Sequence, residues 1–148
     1  MKLLLDTNIA VDIVAKRRGY EASLNVLRLC ETRKATGYVT TATIMDLMYI
    51  LRNYLSPGEA RNTVRLLLKI VKLTPVESSD IHNGLNAEMK DYEDAVQLSC
   101  AKRIKADYIV TRNISDYTES NTPAILPEKI IPKIMGPQKQ ATAKFRKK

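Results

Sequence analysis

Short apolar runs alternate with longer segments of helical periodicity along most of this chain, a pattern that few folds satisfy. Lys2, Leu3, Leu4 and Leu5 read as a buried strand that stops at Asp6, and a helix is expected from Thr7 or Asn8 with Ile9, Ile13 and Val14 facing inward. Residues 21–33 place Leu24, Leu27 and Cys30 on a helical period. A strand over 37–40 precedes a helix running to about Leu55, which Thr40, Thr41 or Thr43 can cap and which gathers Ile44, Leu47, Met48, Leu51 and Leu55 on one face. Ser56, Pro57 and Glu59 have the composition of a helix start with a capping box. Residues 71–73 read as a strand closed by Pro75, and 78–89 as a helix aligning Ile81, Leu85 and Met89. Asp91 can cap a helix that ends near Lys105, ahead of a strong strand signal at 108–111 and a weaker one at 124–126. Pro127 and Pro132 argue against long regular elements beyond that point. Such alternation builds a parallel sheet covered on both faces, here a three-layer α/β/α sandwich of about four or five strands.

The length of 148 residues suits one domain, and a 45% hydrophobic content supplies its core. That domain is expected over 1–135, with 136–148 as a basic, flexible tail. Of the formal net charge of +8, +5 falls in residues 136–148 and +3 in 1–135. The tail either attracts phosphates nonspecifically or serves only as a solubilising end. No run approaches the roughly 18 apolar residues of a membrane span, and the N-terminal run falls short of the roughly 7–15 of a signal peptide. A cytoplasmic protein with no membrane partner is therefore expected. Cys30 and Cys100 lack Cys-x-x-Cys spacing and read as buried free thiols, and one histidine leaves ordinary zinc sites short of ligands. His82, between Ile81 and Leu85, reads as a surface residue. Lys16, Arg17 and Arg18 read as a solvated turn or an approach to nucleic acid.

The chemistry lies in the aspartates. Asp6 follows a strand directly, Asp46 sits in the early turns of a helix after the second strand, Asp94 lies in the first turn of the helix opened by Asp91, and Asp116 follows the 108–111 strand by a short loop. In a parallel α/β sheet the strand carboxyl ends and the helix starts share one edge, so these acids can converge there. Carboxylates that crowd together raise one another's pKa unless a cation compensates, and hard oxygen donors suit Mg²⁺ or Mn²⁺. The competing reading is that acids at helix starts cap or complement the helix dipole, and Asp91 fits it. Asp46, flanked by Ile44, Met45, Leu47 and Met48, reads as a partly buried acid in need of a partner.

Three segments carry a resemblance. Leu4-Leu5-Asp6-Thr7-Asn8, Asp94-Ala95 at an acidic helix start, and Thr111-Arg112-Asn113-Ile114-Ser115-Asp116-Tyr117 occur in order. On these residues the chain resembles the PIN-domain family related to the PilT N-terminus, and VapC-like toxin ribonucleases in particular, over about residues 1–132. The last segment is similar to a Thr-Arg-Asn/Asp-x-x-Asp-Phe motif. The resemblance implies that Asp6, Asp94 and Asp116 are metal-site acids and that Asp46 stands where relatives usually have glutamate. Asn113 stands where Asp is frequent. Thr7 and Asn8 would orient Asp6 or contact the ion's water shell or phosphate, with Thr111 supporting. Arg112 would either touch phosphate or pair with an acid. Asp6-Thr7-Asn8 is also superficially similar to haloacid-dehalogenase phosphatases, but Asn8 stands where those need a second aspartate.

The expected function is a Mg²⁺- or Mn²⁺-dependent endoribonuclease in which Asp6, Asp46, Asp94 and Asp116 fix the ions and phosphodiester hydrolysis follows. The resemblance adds a small antitoxin partner, a homodimer, and the role of toxin in a type II toxin–antitoxin pair. The alternative is a nucleic-acid-binding protein of this fold with weak or no cleavage activity, which Asp46 and Asn113 keep open. A third is an enzyme acting on DNA or structured RNA.

Overall fold

The three leucines of β1 (Lys2–Leu5) set the layers of the molecule. Leu3 and Leu5 enter one hydrophobic core and Leu4 the other, as a period of two requires, and none is more than 2% exposed. The structure, a computed structural model, describes residues 1–117 and 121–137. After β1 come α1 (Thr7–Ala15), α2 (Tyr20–Glu31), β2 (Thr36–Thr40), α3 (Thr41–Leu51), α4 (Pro57–Ile70) and β3 (Lys72–Thr74). Next are α5 (Ser78–Asn86), α6 (Tyr92–Arg103), β4 (Tyr108–Val110), a 3₁₀ turn (Ile114–Tyr117), β5 (Ala124–Ile125) and α7 (Pro127–Met135).

The described strands form one sheet in the order β3-β2-β1-β4-β5, and every pairing is parallel. Helices α1 to α4 and α7 pack Ile9, Val26, Leu47, Val64 and Ile130 against one face. On the other face α6 packs Val96, Cys100 and Ala101 against Leu4 and Ile109, and α5 lies on α6. The expected three-layer α/β/α sandwich with a parallel sheet is what forms.

The chain winds outward from β1 through β2 to β3, then crosses back to place β4 on the other side of β1. The strand order reverses between β1 and β4, so a crevice opens beyond their carboxyl ends. Asp6 leaves β1 at that point and its N–H donates to the Val110 carbonyl of β4 at 3.0 Å.

Local signals are read out in detail. Thr40 caps α3 by accepting from the Thr43 N–H at 3.0 Å, and Ser56 caps α4 by accepting from the Glu59 N–H at 3.2 Å. Cys30 and Cys100 are free and buried, and burial pushes their thiols up to about 11 and about 12. His82 is exposed. No helix among the described residues is long and apolar enough to cross a membrane.

Some expectations are corrected. The third helix ends at Leu51 rather than Leu55, and the strand expected over 71–73 is Lys72–Thr74. Helix α5 stops at Asn86 rather than Met89; its aligned Ile81 and Leu85 are 38% and 66% exposed, while Asp80 and Gly84 are buried. After β5 the chain forms only the nine-residue α7 among the described residues, with Pro127 in its first turn, where the missing N–H costs no hydrogen bond, and Pro132 inside it. In α1 the buried residues are Ile9, Val11 and Asp12 rather than Ile9, Ile13 and Val14. The basic segment 138–148 lies outside the described residues.

Candidate functional site

Strand ends and helix starts bring the acids together at the crevice. Asp6 directly follows β1, and one of its oxygens accepts from the fully buried Thr111 hydroxyl at 3.0 Å. Thr111 also accepts from the Asn113 N–H at 3.0 Å, so one hydroxyl ties the Asp6 carboxylate to the loop after β4. Asp94 enters from the first turn of α6, whose N-terminus is capped by Asp91 accepting from the Asp94 N–H at 3.0 Å. Asp116 is carried by the 3₁₀ turn and reaches the Asp94 carboxyl. A cavity of about 190 Å³ is lined by Asp6, Thr7, Thr43, Asp46, Glu93 and Asp94, among others. A second, of about 350 Å³, shares Asp6, Thr7, Asp46, Glu93 and Asp94 and adds Asn8, Asp91 and Asn113.

Crowding shows in the acid strengths. The Asp94 carboxyl is pushed up to about 7, first by burial and then by the charges of Asp91 and Asp6 and a hydrogen bond with Asp116, against the opposing hydrogen bond from Tyr117. Glu93 is raised by the charge of Asp46, then by burial and by Asp91 and Asp6. Tyr117, at 4% exposure, donates its hydroxyl to Asp94 Oδ1 at 2.9 Å and accepts from Gln97 Nε2 at 3.1 Å. Burial and the charges of Asp94 and Asp6 push its phenol upward, so it stays a donor.

Of the residues singled out in sequence, Asp6, Thr7, Asn8, Asp46, Asp94 and Asn113 line this double cavity, and Asp116 joins through Asp94. Asp46 corrects an expectation, because it is exposed. The buried face of α3 is Thr43, Leu47 and Leu51, and Met45, 73% exposed, stands on the outer side, so the apolar residues beside Asp46 do not enclose it. Thr7 donates to Thr43 Oγ1 at 3.2 Å, and Asn8 accepts from Arg17 at 3.2 Å. Arg112 turns away from the cavity. It donates to Asp12 at 2.7 Å, to Glu128 at 2.9 Å and to the Gly19 carbonyl at 2.8 Å. Gly19 has φ +84, and a Cβ there would lie 3.1 Å from the Arg112 guanidinium, so glycine suits the position twice over.

Glu93 was missed in sequence. It reads as ordinary dipole complement at a helix start, and only its position beside Asp94 hinted at more. Among the described residues, no three His, Cys, Asp or Glu side chains converge closely enough to form a ready-made metal site. The donor chemistry still suits a small hard cation: every candidate ligand is a carboxylate or neutral oxygen, and Asp94 stays raised despite the hydrogen bond from Tyr117.

The structure is that of an α/β protein with a parallel sheet and an acid-lined crevice at its switch point. The sequence matches the PIN domain over residues 2–115, most of its length, and the chain belongs to that family. Its fold is similar to that of VapBC2 from Rickettsia felis bound to a DNA fragment from its promoter, at 17% identity and TM-score 0.66, over 85% of this chain and 98% of that one. It is also similar to a toxin–antitoxin complex from Klebsiella pneumoniae, at 20% identity and TM-score 0.64, over 84% and 97% of the two chains. VapBC-1 from nontypeable Haemophilus influenzae is a third likeness, at 14% identity and TM-score 0.64, over 86% and 99%. At these identities the likeness is one of fold. No curated protein sequence matches the chain.

Proposed function

We propose that this PIN-domain protein is a Mg²⁺- or Mn²⁺-dependent endoribonuclease and the toxin of a type II toxin–antitoxin pair. The observation that carries the reading is the gathering of Asp6, Asp46, Glu93 and Asp94 on one cavity, with Asp116 against Asp94, at the switch point of the sheet. A bound divalent ion would supply Lewis acidity at the scissile phosphate and offset its charge. Asp6 and Asp94 would hold it from the rigid floor of the crevice, with Asp46 and Glu93 closing on it from the rim and Asp116 from the turn. Thr111 keeps Asp6 from rotating away, and Asn113 offers a neutral oxygen or donor to the phosphate. Membership in the family supports a nuclease, and the occurrence of the fold in toxin–antitoxin assemblies supports a small antitoxin partner; a homodimer is part of the proposal on the sequence resemblance alone.

Purified protein should cleave defined RNA in Mg²⁺ or Mn²⁺ and not in chelator, and Asp6→Asn should abolish cleavage while preserving the fold. Cleavage of DNA alone would redirect the reading to a DNA enzyme. A second reading, a nucleic-acid-binding protein without cleavage, is favoured by one observation, the absence of a preformed three-ligand cluster among the described residues. RNA binding that persists in both metals without product would establish it.

A further inference from the structure

We propose that Tyr117 is a positioning residue for Asp94, its hydroxyl setting the orientation of the carboxylate presented to a divalent cation. The inference rests on the reading of the crevice as a cation site. The geometry fixes the direction of the bond. Gln97 Nε2 lies 3.1 Å from the phenol oxygen and an amide nitrogen can only donate, so the phenol accepts there. Its own hydrogen is left for Asp94 Oδ1, 2.9 Å away. Asp94 and Gln97 are three positions apart on α6 and share one face, so a single helical turn brackets the hydroxyl.

Two further points separate this from ordinary packing. The Tyr117 ring already lies in the core with Leu4 and Ile109, and phenylalanine, the residue that ends the similar motif, would fill that space without the hydroxyl. Tyr117 also follows Asp116 in the 3₁₀ turn, so the bond to Asp94 joins the two chain segments that bring those acids together. Asp6 is held in the same manner by Thr111, through one side-chain donor from the β4 side of the crevice. Each of these carboxylates thus has one oxygen engaged by protein, which limits its rotation before any cation arrives.

The test is Mn²⁺ binding by the full chain, read from the loss of the free-ion electron paramagnetic resonance signal, which needs no catalysis. Asp6→Asn locates the bound ion. Tyr117→Phe should raise the Mn²⁺ dissociation constant about tenfold or more, as loss of a ligand-orienting partner does. Leu67→Ala, in the opposite core, should lower thermal stability and leave the constant within about twofold, since Leu67 lines neither cavity and lies outside the core that holds Tyr117. An unchanged constant in Tyr117→Phe, beside a wild type that binds, overturns the positioning role alone. Equal weakening in Tyr117→Phe and Leu67→Ala overturns it too, because general loosening would then account for both. A wild type that binds no Mn²⁺ removes the cation site, and the positioning role with it.

Discussion

A carboxylate drawn out of water can be held ionised by its donors or raised by burial and its neighbours' charge, and this chain does both. Asp12 is 2% exposed but accepts from Arg112 at 2.7 Å and from Ser23 at 3.0 Å. Asp80 is 1% exposed; burial alone would raise it, yet the Glu77 N–H, Arg103 and Ser99 hold it below the usual carboxylate range. Asp94 is the opposite case, pushed from 3.8 to about 7, with burial the leading cause. Between those values the folded protein holds a proton that the unfolded chain has released. Stability of the metal-free protein should therefore fall as pH rises from about 4 to about 7 and level off above. Asp94→Asn removes the slope, so in chelator its guanidinium midpoint should exceed that of the wild type at pH 8 and approach it near pH 4. Parallel midpoints at both pH values would show that Asp94 does not carry the strain. These residue-level facts were unevenly legible. Asp6 and Asp94 could be picked out because each adjoins an element boundary. Asp12 could not, since Arg112 lies 100 positions away and nothing local marks an acid as buried.

At the scale of elements, α5 shows where a pattern of apolar residues misleads. Ile81 and Leu85 are aligned as the sequence suggests, but the helix docks through Gly84 and Asp80. Asp80 accepts from Ser99 at 2.8 Å and Arg103 at 3.1 Å, both on α6, so a polar network replaces an apolar seam. Gly84 is what allows that approach: a Cβ there would stand 2.5 Å from Val96 Cγ2 and 3.2 Å from the Tyr92 ring. Gly84→Ala should cost about 1–3 kcal/mol by overpacking, in excess of any gain in helix propensity. Amide exchange over α5 and the start of α6 should accelerate more than exchange in β1 or β4. A variant as stable as the wild type would mean the helices can separate freely. By contrast β1, β2, β4 and the helix starts at Thr40, Ser56 and Asp91 were readable, because each is fixed by residues within a few positions of itself.

For the whole molecule, the decisive fact is that the acids come from separate layers. Asp6 belongs to the sheet edge, Asp46 to α3 on one face, Glu93 and Asp94 to α6 on the other, and Asp116 to the turn after β4. The alternation of strands and helices foretold this edge, but not the β3-β2-β1-β4-β5 order that puts the crevice between β1 and β4, since strand order depends on contacts far apart in sequence. A cation at the crevice would bridge both layers in the folded state and find no such site in the unfolded chain. Binding should then stabilise the entire domain rather than one loop. At a concentration about 100 times the dissociation constant, linkage gives roughly 2.7 kcal/mol, or on the order of 5–10 °C in Tm for a chain of this size. Thermal unfolding in Mn²⁺ or Mg²⁺ against chelator measures it, and Asp6→Asn, which removes charge from the crevice floor, should erase the difference. If both proteins gain equally, the ions act elsewhere on the surface. If neither gains in either metal, the gathered carboxylates are not a cation site, and hydrolysis by this cleft loses its physical basis.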